Sequence, residues 1–399
     1  MPVAVYILGL SIFAQGTSEL MIAGLLTEMA SDLGVSVPQV GLLISAFAVG
    51  MLLGAPILAV ATLRWPRRTA LLAFLAVFAA AHVLGALTSD YGVLFATRVV
   101  AAFVYAGFWS VAVATAVGLV ADNARGRALS VVAGGLTVAT VVGLPAGTVI
   151  GQHLGWRAAF WAVAVLSIAA MAGVIAKVPD VRPAVAPRVR TEVRALATLP
   201  VWLLYLTTAL AISALMVTFG YLAAFLTETT GMAERWVPVV LAVYGIGSCL
   251  GIMVGGRTAD AHPLRSLTVG IAGLTVTSAL LALTAHHVVP VVLLVFLLGA
   301  FGFGVNPVLN SRVFTLAPGA STLGAAGNVG AFNVGITVGP WLGGLVLGAH
   351  WDYPALAWIG VALGAAALAV VGWSSALAAR AVPAEGGAVL DAEPISVRA

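Results

Sequence analysis

Twelve stretches of about twenty mostly apolar residues, separated by short breaks rich in charge, proline or glycine, leave this chain few folds to choose from. They fall at about 4–26, 40–62, 69–88, 92–118, 128–151, 157–177, 200–226, 235–256, 266–285, 288–314, 320–347 and 354–379. A helix needs ~20 apolar residues to cross the hydrocarbon core of a bilayer. Only 8% of the 399 residues are charged and 62% are hydrophobic, whereas soluble domains are about 25% charged. The expected fold is therefore all-α, a polytopic membrane protein of twelve transmembrane helices whose constant partner is the lipid bilayer.

The charges that remain are placed unevenly. If the N-terminus is cytoplasmic, the inner loops hold Arg64, Arg67, Arg68, Arg125, Arg127, Lys177, Arg182, Arg188, Arg190, Arg194, Arg257 and Arg265. The outer loops then hold only Arg157 and Arg235 beside Glu28, Asp32, Asp90, Glu228, Glu234 and Asp352. The positive-inside rule thus sets both termini in the cytoplasm. The formal charge of +4 is spread over these loops, so nucleic acid is not expected as a partner. Cys249 stands alone, which excludes an intrachain disulfide and a cysteine metal cluster. The first apolar run has no basic lead-in and is interrupted by Gln15 and Glu19, as expected of a retained helix and not of a signal peptide.

The proline-rich, basic stretch from Lys177 to Arg194 divides the spans six and six. This gives an N-terminal bundle, 1–177, a cytoplasmic linker, 178–199, a C-terminal bundle, 200–380, and a disordered tail, 381–399. A repeat supports the division: Ala59 to Arg68 (AVATLRWPRR) aligns with Gly256 to Arg265 (GRTADAHPLR), with Pro66 matching Pro263 and Arg68 matching Arg265. Two pseudo-symmetric six-helix bundles follow.

Within the spans, Glu19 in FAQGTSELM (Phe13 to Met21) is the outstanding charge. Ionisable groups in a membrane interior are rare and mark ion or substrate pathways, so Glu19 is the candidate proton carrier. Arg98 lies at a similar depth, ~10 Å from the outer end at ~1.5 Å per residue. Its approach to or retreat from Glu19 could set the proton's occupancy; a static pair, or bonds to backbone, is the other reading. Gln15 shares a helix face with Glu19, and Tyr105 and Trp109 share one with Arg98. Together they could line a pocket for a small, partly polar aromatic molecule, although Tyr105 and Trp109 could equally serve helix packing. Asn306, Asn310, Asn328 and Asn333 could bond substrate hydroxyl or nitro groups, or join helices to one another. His82 could be a second proton group or a buried neutral histidine. Arg312, near an inner helix end, can snorkel.

Several motifs resemble those of the major facilitator superfamily, over essentially all twelve spans. The loop consensus G-x-L-x-D-R-x-G-R-R is matched by Gly256, Asp260 and Arg265 in the second half and by Arg64, Arg67 and Arg68 in the first, where Leu63 replaces the acid. In that family the acid helps latch helix ends, so the resemblance implies a latch resting more on Asp260. Leu94 and Arg98 match L-x-x-x-R-x-x-Q-G, with Ala101 and Ala102 in place of Gln-Gly. VVGLPAGTVIG (Val141 to Gly151), with Gly143, Pro145 and Gly147, is similar to the antiporter motif of the drug:proton exporters. The opening segment is similar to the branch that includes bacterial chloramphenicol-resistance efflux proteins. The resemblance implies a monomeric exporter that works by alternating access, with a drug and protons as its partners.

Other classes fit less well. Sugar or nucleoside export within the superfamily would call for more acid and amide groups around the cavity. A channel would need charged rings or a filter-like loop. No H-E-x-x-H, G-x-S-x-G or P-loop occurs in the sequence, so neither an enzyme nor a bound cofactor is expected, and energy would come from an ion gradient.

Overall fold

The computed structural model describes residues 1–62, 65–121, 124–180, 198–316 and 321–381. Among these there are twelve helices long and apolar enough to cross a membrane. They are α1 (Val3–Met21), α2 (Val37–Ala61), α3 (Arg67–Leu87), α4 (Tyr91–Gly118), α5 (Arg125–Val138, Ala139–Gly143 and Leu144–Leu154), α6 (Trp156–Lys177), α7 (Leu199–Phe219), α8 (Val237–Ala261), α9 (Pro263–Leu283), α10 (Val288–Gly304 continuing as Asn306–Leu316), α11 (Ser321–Gly348) and α12 (Pro354–Ala381). Arg64, Leu63, most of the expected linker and nearly all of the tail lie outside the described residues, as does the side chain of Asp260.

Two spans end earlier than their apolar runs. α1 gives way at Met21 to a 3₁₀ turn, Ile22–Gly24, and a short surface helix, Leu26–Leu33, closed by Gly34 in the left-handed region at φ 65°. α7 stops at Phe219, and the apolar residues after it form a single α turn, Leu222–Ala224, and a wider π turn, Phe225–Thr229. Apolar residues continue past both breaks because these segments pack against each other across the molecule. Hydropathy registers burial and not helix ends.

Packing repeats between the halves. α1–α5, α2–α4 and α3–α6 contacts in the first six helices correspond to α7–α11, α8–α10 and α9–α12 in the second. In both halves the second pair is seated on glycines, which let helix backbones approach closely. Gly50 and Gly54 of α2 face the carbonyls of Val99 and Phe103 on α4, and Gly247, Gly251 and Gly255 of α8 face those of Phe296, Ala300 and Gly304 on α10.

Two seams join the bundles, α2 with α11 and α5 with α8. Both include contacts at the end of the molecule opposite the N-terminus, here the distal end, and reach mid-helix. Tyr221 is fully buried there: its ring lies on Gly41 of α2 and Gly343 of α11, and its hydroxyl donates to Pro340 O at 2.9 Å. Ser45 Oγ donates across the same seam to Thr337 O at 2.9 Å, and Gln152 Nε2 crosses the other to Glu234 O at 2.8 Å. Deeper in that second seam, Gly245 of α8 rests on Thr140 and Val141 of α5.

A polar clamp closes the distal surface of the first half. Arg157 pairs with Asp32 and donates to Thr88 O at 3.3 Å, Trp156 Nε1 donates to Asp32 at 3.0 Å, and the guanidinium lies 4.4 Å from the Trp156 ring centre. The hydrogen bonds from Arg157 and Trp156 hold the Asp32 carboxyl below the usual carboxylate range.

Two measurements test these contacts. Gly251→Ala drives a methyl group into the Ala300 carbonyl, backbone that cannot yield, and should cost about 1–3 kcal/mol, read as a lower melting temperature in detergent. Gly256→Ala meets nothing within 4 Å among the described residues and should melt like the parent. Asp32→Asn should cost about 0.5–1 kcal/mol, the small value that fits a half-exposed pair. Because the native carboxyl titrates below its unfolded value of about 3.9, this contribution is complete above about pH 4 and is lost as pH falls through the native value. Parent and variant melting curves should therefore converge in acid.

Candidate functional site

Three polar side chains of α1 bond back into their own helix. Ser11 Oγ donates to Ile7 O at 2.8 Å, Thr17 Oγ1 to Phe13 O at 2.8 Å and Gln15 Nε2 to Ser11 O at 3.2 Å. Each bond reaches back one turn, the usual local alternative for such residues. Ser18 departs from this pattern and turns toward α3 and α4.

Arg98, in the second turn of α4, is 1% exposed and clasps Ser18 with two bonds, Nη1 to Oγ at 2.7 Å and Nη2 to the carbonyl at 3.0 Å. Its guanidinium carbon lies 4.3 Å from the centre of the Phe47 ring on α2, a cation–π contact. Its Nε is buried with no partner among the described residues. The expected meeting of Arg98 with Glu19 thus takes a different form: no ion pair joins them within 4 Å, and the arginine bonds to the residue next to the acid. Each still lies in the other's field, and Tyr105 lies in that of Glu19. Glu19 is half-buried and makes no hydrogen bond among the described residues. Gln15, on the same face, is fully buried, with Oε1 unpartnered among the described residues.

An aromatic wall continues from there. Tyr105 is 1% exposed and lies 6.1 Å from Phe47, 6.4 Å from Phe78 and 6.3 Å, edge-on, from the half-buried Trp109. His82 is buried between Phe78 and Phe160, its ring centroid 4.3 Å from the first and 5.6 Å from the second, and bonds to Ser18 at 2.5 Å. Phe47, Phe78 and Ser18 were not singled out from sequence. Ser18 stands beside Glu19 in the TSE triplet, but nothing in the spacing shows which neighbouring helix a serine will face.

In the second half the asparagines divide. Thr208 Oγ1 donates to Asn328 Oδ1 at 2.8 Å and Asn328 Nδ2 donates to Asn310 Oδ1 at 3.0 Å, joining α7, α11 and α10. Asn310 also donates to Asn306 O at 3.0 Å. Asn333 bonds back to Val329 O at 2.9 Å, and Asn306 Oδ1 is buried without a partner among the described residues. Arg312 is half-buried beside Leu204, Thr207, Leu264, Leu267, Val371 and Ser374.

The glycine–proline motif of α5 shapes the seat of α1. Pro145 lacks the N–H that would continue the helical ladder, and the chain widens into a π turn at Ala139–Gly143 just before it. Gly143, Gly147 and Gly151 then form a bare stripe on which Thr17, Met21 and Leu25 rest. Of the loop motif residues, Arg67 donates to Ala114 O at the end of α4, Arg68 is half-buried and Arg265 is exposed. Gly256 faces open space.

The model of the Major Facilitator Superfamily matches residues 8–242 and 201–390, so the chain belongs to that family and is a multi-pass membrane transporter. It is 44% identical over 352 residues to the chloramphenicol resistance protein of Streptomyces lividans, covering 87% of this chain and 90% of that one. It is also 35% identical to the uncharacterized transporter YtbD of Bacillus subtilis, over 93% of this chain and 95% of that one. Among solved structures, a mutant form of the nucleoside transporter NupG superposes with a TM-score of 0.78 at 14% identity, over 93% of this chain and 99% of that one, a likeness of fold alone.

The asparagine chain yields a test that separates support from transport. Asn328→Ala removes two bonds between helices, while Thr208 keeps its bond to Leu204 O and the exposed Asn310 its bond to Asn306 O; at about 0.5–1.5 kcal/mol per net bond the loss should be about 1–3 kcal/mol. Asn333→Ala removes one local bond and should cost less. Paired melting curves in detergent would reverse that order if Asn328 serves substrate alone.

Proposed function

We propose that the protein exports small, partly polar aromatic drugs, chloramphenicol and related phenicols among them, in exchange for protons. The observation that carries the coupling is the state of Glu19: a half-buried carboxylate within the first span, free of hydrogen bonds and ion pairs among the described residues, beside an arginine occupied elsewhere. Such a group can take and release a proton without breaking a bond of its own, and its affinity for that proton follows the distance to Arg98. The substrate class follows the resistance protein from Streptomyces lividans and suits the wall beside Glu19, where an amide, two amphipathic aromatics and apolar rings converge.

In this reading Gln15, Tyr105 and Trp109 contact the drug, with Asn306 and Asn333 reaching it from the second bundle and Asn310 and Asn328 holding the helices that carry them. The distal seams close the outer face while the site is served from the cytoplasm. The two bundles then rock about the drug to expose it outside, as in alternating access between repeats. Gly143, Pro145 and Gly147 supply the surface on which α1 turns, and Arg67 holds the inner end of α4. The protein works as a monomer in the bacterial inner membrane with both termini cytoplasmic, and it needs no cofactor.

Glu19→Gln is the direct test. In proteoliposomes with an imposed pH gradient, chloramphenicol-dependent proton flux should fall at least about tenfold, the effect of ~1.4 kcal/mol, and a protonophore should abolish resistance in an efflux-deficient bacterium expressing the parent. Exchange at the parent rate in Glu19→Gln would overturn the proposal.

A further inference from the structure

His82 and Ser18 form a hydrogen-bond chain whose direction is fixed at every link. Phe78 O can only accept, so the His82 Nδ1 that meets it at 2.8 Å carries the proton. In the neutral ring Nε2 is then an acceptor, and it takes the Ser18 hydroxyl proton at 2.5 Å. With its hydrogen committed, Ser18 Oγ has only lone pairs left for Arg98, and it accepts Nη1 at 2.7 Å. The chain runs from Arg98 through Ser18 and His82 to the α3 backbone, and all three side chains are at most 1% exposed.

We propose that neutral His82 is a positioning residue for the coupling site: by fixing the Ser18 hydroxyl it keeps Arg98 docked on Ser18, beside Glu19 and not paired with it. The inference rests on the coupling role of Glu19. Around His82, α1 presents Ser18, followed in sequence by Glu19. α4 presents Arg98, the charge whose field reaches the ring, and α3 and α6 present Phe78 and Phe160. Without the His82 acceptor the Ser18 hydroxyl turns back to its own helix, as Ser11 and Thr17 do. Arg98 Nη1 then loses its oriented acceptor and, with Nη2 still on the Ser18 carbonyl, swings to the free carboxylate one residue along. A carboxylate paired with arginine gives up its proton more readily, so the transporter must work in more acid conditions to load it.

The test measures proton release on addition of chloramphenicol to purified protein in detergent, across pH. Ser18→Ala and His82→Phe should each move the midpoint of that profile to lower pH by about one unit, a tenfold change in proton affinity. The double variant should move it no further, because both changes break the same chain. His82→Gln, which restores an acceptor, should return the midpoint toward that of the parent. A parent-like midpoint in either single variant with an unchanged melting temperature, or additive shifts in the double variant, would overturn the inference and leave His82 as packing. Should His82→Phe fail to fold, Ser18→Ala and His82→Gln still decide the matter. Glu19→Gln separates the two readings. If it abolishes proton release while the His82 and Ser18 variants behave as the parent, only this inference falls; if it releases protons normally, the coupling role of Glu19 falls with it.

Discussion

A guanidinium removed from water inside a membrane protein must be given its solvation back by the protein, and this structure does so at Arg98. Isolated burial of a charge is costly enough that such groups are paired, hydrogen-bonded or neutralised. Here the compensation is divided between two oxygens of one serine, the face of Phe47 and the field of Glu19. No single partner neutralises the charge completely, which leaves the arginine a second possible docking place one residue along α1. α1 must therefore hold its register against α3 and α4 to within a fraction of a helical turn. The glycine stripe of α5 helps to provide that register, because Gly143, Gly147 and Gly151 admit the side chains of α1 at only one spacing.

The same device builds the scaffold. In bilayer there is no hydrophobic gain from bringing one apolar helix to another, so close backbone approach and a few polar bonds decide which helices pair. Glycines on α2 and α8 meet carbonyls on α4 and α10 in both halves. That correspondence makes each bundle a firm body, while the seams between bundles rest on fewer polar links, such as Ser45 to Thr337 and Gln152 to Glu234. Firm bodies joined by few polar links are what rigid-body rocking requires.

The number of spans and their approximate limits could be read directly from hydropathy, because lipid imposes both length and composition on a crossing helix. The matched depth of residue 19 and residue 98 came from counting along two antiparallel helices. The contacts Arg98 makes did not. Spacing on one helix reveals which residues share a face, but not which rotamer a long side chain adopts across a gap, so the preference of Arg98 for Ser18 over Glu19 was beyond reach. For the same reason Asn310 and Asn328, equally eligible as substrate ligands in the sequence, proved to be bonded to each other. The early ends of α1 and α7 were hidden because the residues beyond them remain apolar while packing in turns.

Tyr221 at the distal end has a mechanical consequence. Its hydroxyl is tied to α11 in its own bundle, while its ring fills a notch that Gly41 leaves in α2 of the other. Parting the bundles would withdraw it as a peg from a socket, with no charge separated and no proton moved. A closure of that kind depends on shape, so salt or acid bathing the distal end would hardly loosen it.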